Sequence, residues 1–172
     1  MPFRIERITP EHERDEFDCG EPEMNEYLLR FARQNDRKET GRTYVAVRPA
    51  GKRVLGYYTL SAGAVAFEHL PPTVRKRIAR YPVPVAHLGR LAIDHSVQGQ
   101  GLGSALLFDA LRRVSKVSEE MAIYAVEVRA LHDVARTFYV KFGFKPLMND
   151  PLRLYLPIQT ARHLGRETEM PL

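Results

Sequence analysis

At 172 residues with 44% hydrophobic content, the chain is the size of one domain with a core of its own, so a single domain over residues 1–172 is expected. No stretch approaches the ~20 apolar residues of a membrane span, and Met1–Arg7 lacks an apolar signal region, so a cytoplasmic protein without membrane association is expected. The lone Cys19 excludes an internal disulfide, and no Cys or His grouping at ligand spacing points to a metal.

The net charge of +5 is unevenly spread. Glu11 to Glu26 carries eight acids against Arg14 alone. Arg30, Arg33, Arg37, Lys38 and Arg42 gather on one predicted helix and its exit, and Arg75, Lys76, Arg77 and Arg80 on another. Such clusters attract polyanions, although a solvated helix face has the same composition.

In chain order, Pro22 opens a helix whose Met24, Leu28, Phe31 and Ala32 share one face. Thr43 to Val47 and Val54 to Ser61 read as strands joined by Pro49-Ala50-Gly51-Lys52 in a hairpin. A short third strand is expected near Ala64 to Phe67, then a basic helix from Pro72 that ends before Pro82. The apolar run Val85 to Ile93, ending at Asp94, predicts a central strand. A glycine-rich loop leads from it into a helix with Leu102, Leu106, Ala110 and Val114 on a broad apolar face. Ile123 to Val128 is the next strand. Leu131, Val134, Ala135, Phe138 and Phe142 then follow amphipathic helical spacing, with Gly143 placed to cap the end. Leu152 to Ile158 is the last expected strand. The order implies an α/β (α+β) domain with a mixed sheet.

Gln98-Gly99-Gln100-Gly101-Leu102-Gly103 carries the chemistry. Glycines between a strand and a helix let the backbone approach a ligand, and consecutive N–H donors at a helix N-terminus form an anion site. No Gly-Lys-Ser/Thr follows, which excludes a Walker loop. The dinucleotide fingerprint fails because its third glycine position is Ser104.

Gln98-x-x-Gly101-x-Gly103 after Leu88-Gly89-Arg90-Leu91-Ala92-Ile93-Asp94 resembles the acetyl-CoA signature of GNAT acetyltransferases. Phe138-Tyr139-Val140-Lys141-Phe142-Gly143-Phe144 resembles the helix end typical of the same fold. The resemblance covers roughly Arg42 to Pro157. It implies a GNAT fold with a central, mixed, mostly antiparallel sheet of six to seven strands flanked by about four helices. It also implies acetyl-CoA as co-substrate. Its pyrophosphate would lie on amides from Gly99 to Ser104, through Gln100, Gly101, Leu102 and Gly103, and its pantetheine arm along the backbone of Leu91, Ala92 and Ile93, with Gln98 and Phe138 among the other cofactor-binding residues. Phe17-Asp18-Cys19-Gly20, Tyr27-Leu28, Ala32, Gln34 and Thr43-Tyr44-Val45 narrow the resemblance to the GNAT toxins of bacterial toxin–antitoxin pairs. Members of that group acetylate aminoacyl-tRNA, are neutralised by a ribbon-helix-helix antitoxin, and are often homodimers.

In this reaction a neutral amine attacks a thioester carbonyl and a thiolate leaves. Tyr139, just off the apolar stripe of its helix, suits the role of general acid. The usual β-strand glutamate base is missing: Val85 to Asp94 offers only His87, Arg90 and Asp94, and the alternative is a base supplied from a neighbouring position by Glu127, or by His87 through a water. A lysine amine (pKa ~10.4) is only about 0.1% neutral near neutral pH, whereas an α-amine (~7.7–8.0) barely needs a base, so the gap favours an α-amine acceptor. Arg30, Arg33, Arg37, Arg75, Arg77 and Arg90 are the expected phosphate-contacting residues for tRNA. The alternatives are acetylation of a protein N-terminus or small amine, and a non-catalytic CoA-binding or antitoxin-binding module.

Overall fold

The computed structural model describes residues 3–167. In chain order the elements are β1 (Arg4–Arg7), α1 (Pro22–Glu26), a π-helical turn (Tyr27–Phe31), α2 (Ala32–Arg37), β2 (Arg42–Val47), β3 (Gly56–Val65), α3 (Pro72–Arg75), β4 (Val83–Ile93), α4 (Leu102–Val117), β5 (Ala125–Arg129), α5 (Asp133–Lys141), β6 (Lys145–Pro146), β7 (Arg153–Pro157) and α6 (Ile158–Glu167). The strand order is β1-β2-β3-β4-β5-β7-β6. Pairs β1–β2, β2–β3, β5–β7 and β6–β7 are antiparallel and β4–β5 is parallel, giving the mixed, mostly antiparallel sheet expected.

The chain forms two compact units. The first holds the described residues up to Ser61 together with Gly89–Ala110. Its core joins Phe17, Tyr27, Leu28, Ala32, Val45, Val47, Tyr57 and Ala92. Pro22 starts the first helix as its fixed φ allows. The wider π turn leaves the Leu28 and Leu29 carbonyls to accept from the Arg14 guanidinium at 3.2 and 3.0 Å. Asp36, buried at the end of α2, accepts from Arg7 and Arg42 and from the Thr43 amide, tying α2 to β1 and β2. Gly56 lets α4 approach the sheet, since a Cβ there would lie 3.0 Å from Leu106 and 3.2 Å from Leu102.

The acidic segment is a strap. The Glu13 N–H donates to the Lys52 carbonyl, the Val54 N–H donates to the Glu13 carbonyl, and Glu11 and Glu16 face Lys52 and Arg53 at 3.9 and 3.7 Å. Its far end is pinned by Asp94, whose carboxylate accepts from the Asp18 amide at 3.0 Å and from the Ser96 amide and hydroxyl. Asp94 is therefore structural: burial opposes its ionisation, and the Asp18 and Ser96 hydrogen bonds outweigh that and hold its carboxyl below the usual range.

The second unit holds Ala62–Leu88 and the described residues from Leu111 onward. Val65, Leu70, Val83, Val85, Ala125, Leu147 and Tyr155 form its core.

Several expectations are corrected. No separate strand lies at Ala64 to Phe67: β3 runs on through Ala64 and Val65, and Phe67–His69 is a 3-10 turn. The basic helix stops at Arg75, because only Val74 and Ile78 of that segment pack on the core while four cations crowd it. Strand β1 and helix α6 extend the expected set at both ends. Helix α5 has the expected period but a different buried face: Val134 is 77% exposed and Leu131 is exposed, whereas Tyr139 is buried.

Candidate active site

In the first unit, β4 delivers Leu91, Ala92 and Ile93 to a 3-10 turn at His95–Val97 and then to the glycine loop. Ala92 is buried in the core, and Leu91 and Ile93 are half-buried. The Gln98 side-chain amide donates to the Ile93 carbonyl at 3.1 Å, so Gln98 closes the turn from strand to loop. Gly99 and Gly101 have φ of +79° and +81°, in the region that only glycine enters freely. A Cβ on either would meet nothing within 4 Å, so the loop is an open cradle. The Ala105 N–H bonds to the Gly101 carbonyl, so the amides of Leu102, Gly103 and Ser104 lie ahead of the α4 ladder, at the positive end of the helix dipole. The Leu102 side chain is core, so only its backbone is available to a ligand. Gln100 is exposed on the same loop. This donor set fits a pyrophosphate.

Arg90, also on β4, lies with its guanidinium carbon 3.7 Å from the centroid of the Tyr27 ring, a cation–π contact that ties it to the π-helical turn. Arg30 and Arg37 are exposed and Arg33 half-exposed in this unit. Arg42, expected to belong to the same basic group, is instead bound to Asp36.

In the second unit, Tyr139 is 7% exposed, with its ring edge-on to Phe138 at 5.2 Å and to Phe144 at 5.4 Å between centroids. Burial raises its phenol above the ordinary tyrosine value, so the hydroxyl stays protonated at any working pH. Phe138 is half-buried and also meets Phe142 at 5.2 Å. His132 caps α5 by accepting the Ala135 amide through Nδ1 at 3.2 Å. His87 Nδ1 lies 2.6 Å from Glu127, whose other oxygen faces Arg153 at 3.4 Å. Glu127 is 6% exposed. Burial works against its ionised form, but the His87 hydrogen bond and the charges of His87 and Arg153 outweigh it and hold the carboxyl below the usual glutamate range. A carboxylate so occupied is a poor proton acceptor. Arg75 is half-exposed and Arg77 exposed in this unit.

The model of the acetyltransferase (GNAT) domain matches residues 74–153. The tRNA-acetylating toxin of Mycobacterium tuberculosis (strain ATCC 25618 / H37Rv) is 41% identical over 158 residues, 92% of this chain and 93% of that protein. The structure of AtaT complexed with acetyl-methionyl-tRNAfMet superposes with a TM-score of 0.88 at 34% identity, covering 94% of this chain and 98% of that one. The AtaT Y144F mutant toxin bound to the C-terminus of the antitoxin AtaR and acetyl-CoA superposes with a TM-score of 0.81 at 32% identity, covering 95% and 98%. The chain belongs to the GNAT acetyltransferases. It is an acetyl-CoA-dependent N-acetyltransferase, with acetyl-CoA as co-substrate. Among the described residues no helix is long and apolar enough to cross a membrane.

Proposed function

We propose that this chain is a single acyltransferase domain, residues 1–172, that moves acetyl from acetyl-CoA to the α-amino group of aminoacyl-tRNA. It acts in the cytoplasm as a translation-blocking toxin, restrained by a ribbon-helix-helix antitoxin and assembled as a homodimer. The observation that carries the reading is near-full-length likeness to a tRNA-acetylating toxin, supported by the likeness to AtaT in complex with acetyl-methionyl-tRNA and with an antitoxin C-terminus.

The amides from Gly99 to Ser104 receive the pyrophosphate, and the backbone of Leu91 to Ile93 pairs with the pantetheine arm. Tyr139 gives its proton to the departing thiolate, a role supported by burial: in apolar surroundings the phenol stays neutral while a nascent thiolate becomes a stronger base. The occupied state of Glu127 supports an acceptor that needs little base catalysis, and an α-amine near ~7.7–8.0 is such an acceptor. Arg30, Arg33, Arg37, Arg75 and Arg77 serve as phosphate contacts, with Arg90 set by Tyr27.

Affinity for a phosphate-rich acceptor is salt-dependent. Each contact contributes a slope of about −0.9 in log affinity against log salt, so five contacts lose about 500-fold between roughly 50 and 200 mM. Steady-state kcat/KM on charged tRNA is expected to fall on that scale. A flat salt response would favour a protein N-terminus or small amine as acceptor.

A further inference from the structure

In the second unit, β4, β5 and β7 set His87, Glu127 and Tyr155 in one row across the sheet, beside the apolar pair Val85 and Ala125. The Glu127 side chain is 7% exposed and the His87 side chain 34%, so the carboxylate lies inside and the imidazole reaches out from it. An ionised carboxylate can only accept, so across the 2.6 Å contact the His87 Nδ1 carries the ring proton and donates it, which leaves the Nε2 lone pair free. Among the described residues nothing else bonds the His87 ring. Arg153 Nε, 3.4 Å from the other Glu127 oxygen, holds the carboxylate from its far side. On β3 the position facing His87 is Gly63, which carries no side chain, and a Cβ there would stand 3.7 Å from the His87 Cβ.

A packing role does not account for this arrangement. Burying a carboxylate is costly, and an apolar side chain of similar volume would fill the place of Glu127 at least as stably. What the buried carboxylate adds is a fixed imidazole tautomer with its basic nitrogen turned away from the core. Amide formation calls for such a group even when the acceptor enters as a neutral amine, because the nitrogen becomes cationic once it has bonded to the carbonyl carbon. We infer that His87 is the group that takes this proton, through one water, with Glu127 and Arg153 as its positioning residues, an inference that rests on the aminoacyl-tRNA reading above. In that reading the pyrophosphate lies beyond the end of β4 and the pantetheine arm along Leu91 to Ile93, so the thioester end of the arm points back along the strand that carries His87. The nitrogen lone pair forms the C–N bond, and one N–H proton passes to the His87 Nε2. The C–S bond then breaks with its electron pair going to sulfur, which takes the Tyr139 proton. The imidazolium afterwards loses its proton to solvent and the phenolate regains one, which restores both groups.

The test uses the full chain with His87→Asn and His87→Ala. Asparagine can still donate to Glu127 from the δ position but cannot take up a proton near neutral pH. With charged tRNA and acetyl-CoA saturating, His87→Asn is expected to lower kcat about 100-fold, the low end for a positioned proton acceptor, while acetyl-CoA affinity and melting temperature hold. Added imidazole is expected to restore turnover of His87→Ala at least about fivefold, and more basic imidazoles to restore it further, as Brønsted behaviour requires. A packing or binding role would give no such rescue. Wild-type kcat in His87→Asn, or a loss in His87→Ala that imidazole leaves unchanged, would overturn the role of His87 alone. Failure of the wild-type chain to label charged tRNA would overturn the acceptor reading and the role of His87 with it.

Discussion

Tyr139→Phe is expected to lower kcat for acetyl transfer about 100-fold or more while leaving acetyl-CoA affinity and the fold unchanged, because a positioned general acid contributes ~10²–10⁴-fold. The ring is buried between Phe138 and Phe144, and phenylalanine keeps those contacts. Among the described residues no hydrogen-bonding partner meets the hydroxyl, so its removal strands nothing. With the ring contacts kept and no partner stranded, the melting temperature should hold. Calorimetric titration with acetyl-CoA, a melting curve and steady-state turnover separate these effects. Unchanged turnover would remove Tyr139 from the mechanism, and lost acetyl-CoA binding would recast it as a binding residue.

Gly101→Val is expected to show the opposite signature. At φ +81° a β-branched residue is strained by roughly 1–2 kcal/mol or more, which for a chain of this length corresponds to a melting-point drop of about 2–8 °C. Because a Cβ at Gly101 meets open space, the free protein has nothing to collide with, and the damage falls on the bound state. The side chain would fill the cradle and turn the loop amides away from the pyrophosphate. Acetyl-CoA Kd should rise at least about tenfold, the equivalent of one lost charge-assisted hydrogen bond. Undiminished affinity in a folded variant would mean that the loop does not hold the cofactor's phosphates.

The parts legible in the sequence are those where one physical signal dominates. Helix α4 shows a broad apolar face bounded by glycine, and β4 is an apolar run too long for a loop, so both were placed together with the cradle between them. Strand β1, Arg-Ile-Glu-Arg, gives no such signal, since three of its four residues are charged and its pairing partner, β2, is about forty residues away. Helix α6 hides for a related reason. Its inward face is built from Ile158, Ala161 and Gly165, of which the last two are small and contribute close approach rather than hydrophobicity. In α5 the period was readable but the face was not: Leu131 and Val134 continue the apolar spacing on the exposed side, while Tyr139 occupies the buried one.

The basic clusters divide in the same way. Composition reveals positive charge but not its commitments, and only the fold shows that Arg42 is bound to Asp36 and Arg90 to Tyr27. The acidic strap from Glu11 to Glu26 likewise becomes intelligible only when its backbone is seen bonded to Lys52 and Val54.

Transfer of labelled acetyl from acetyl-CoA to a bulk charged tRNA pool, with uncharged tRNA and free amino acids as controls, tests the proposed activity most directly. Label confined to charged tRNA, and released when the aminoacyl ester is hydrolysed, is the predicted result. Absence of label from every tRNA, in a preparation that still binds acetyl-CoA, would contradict it.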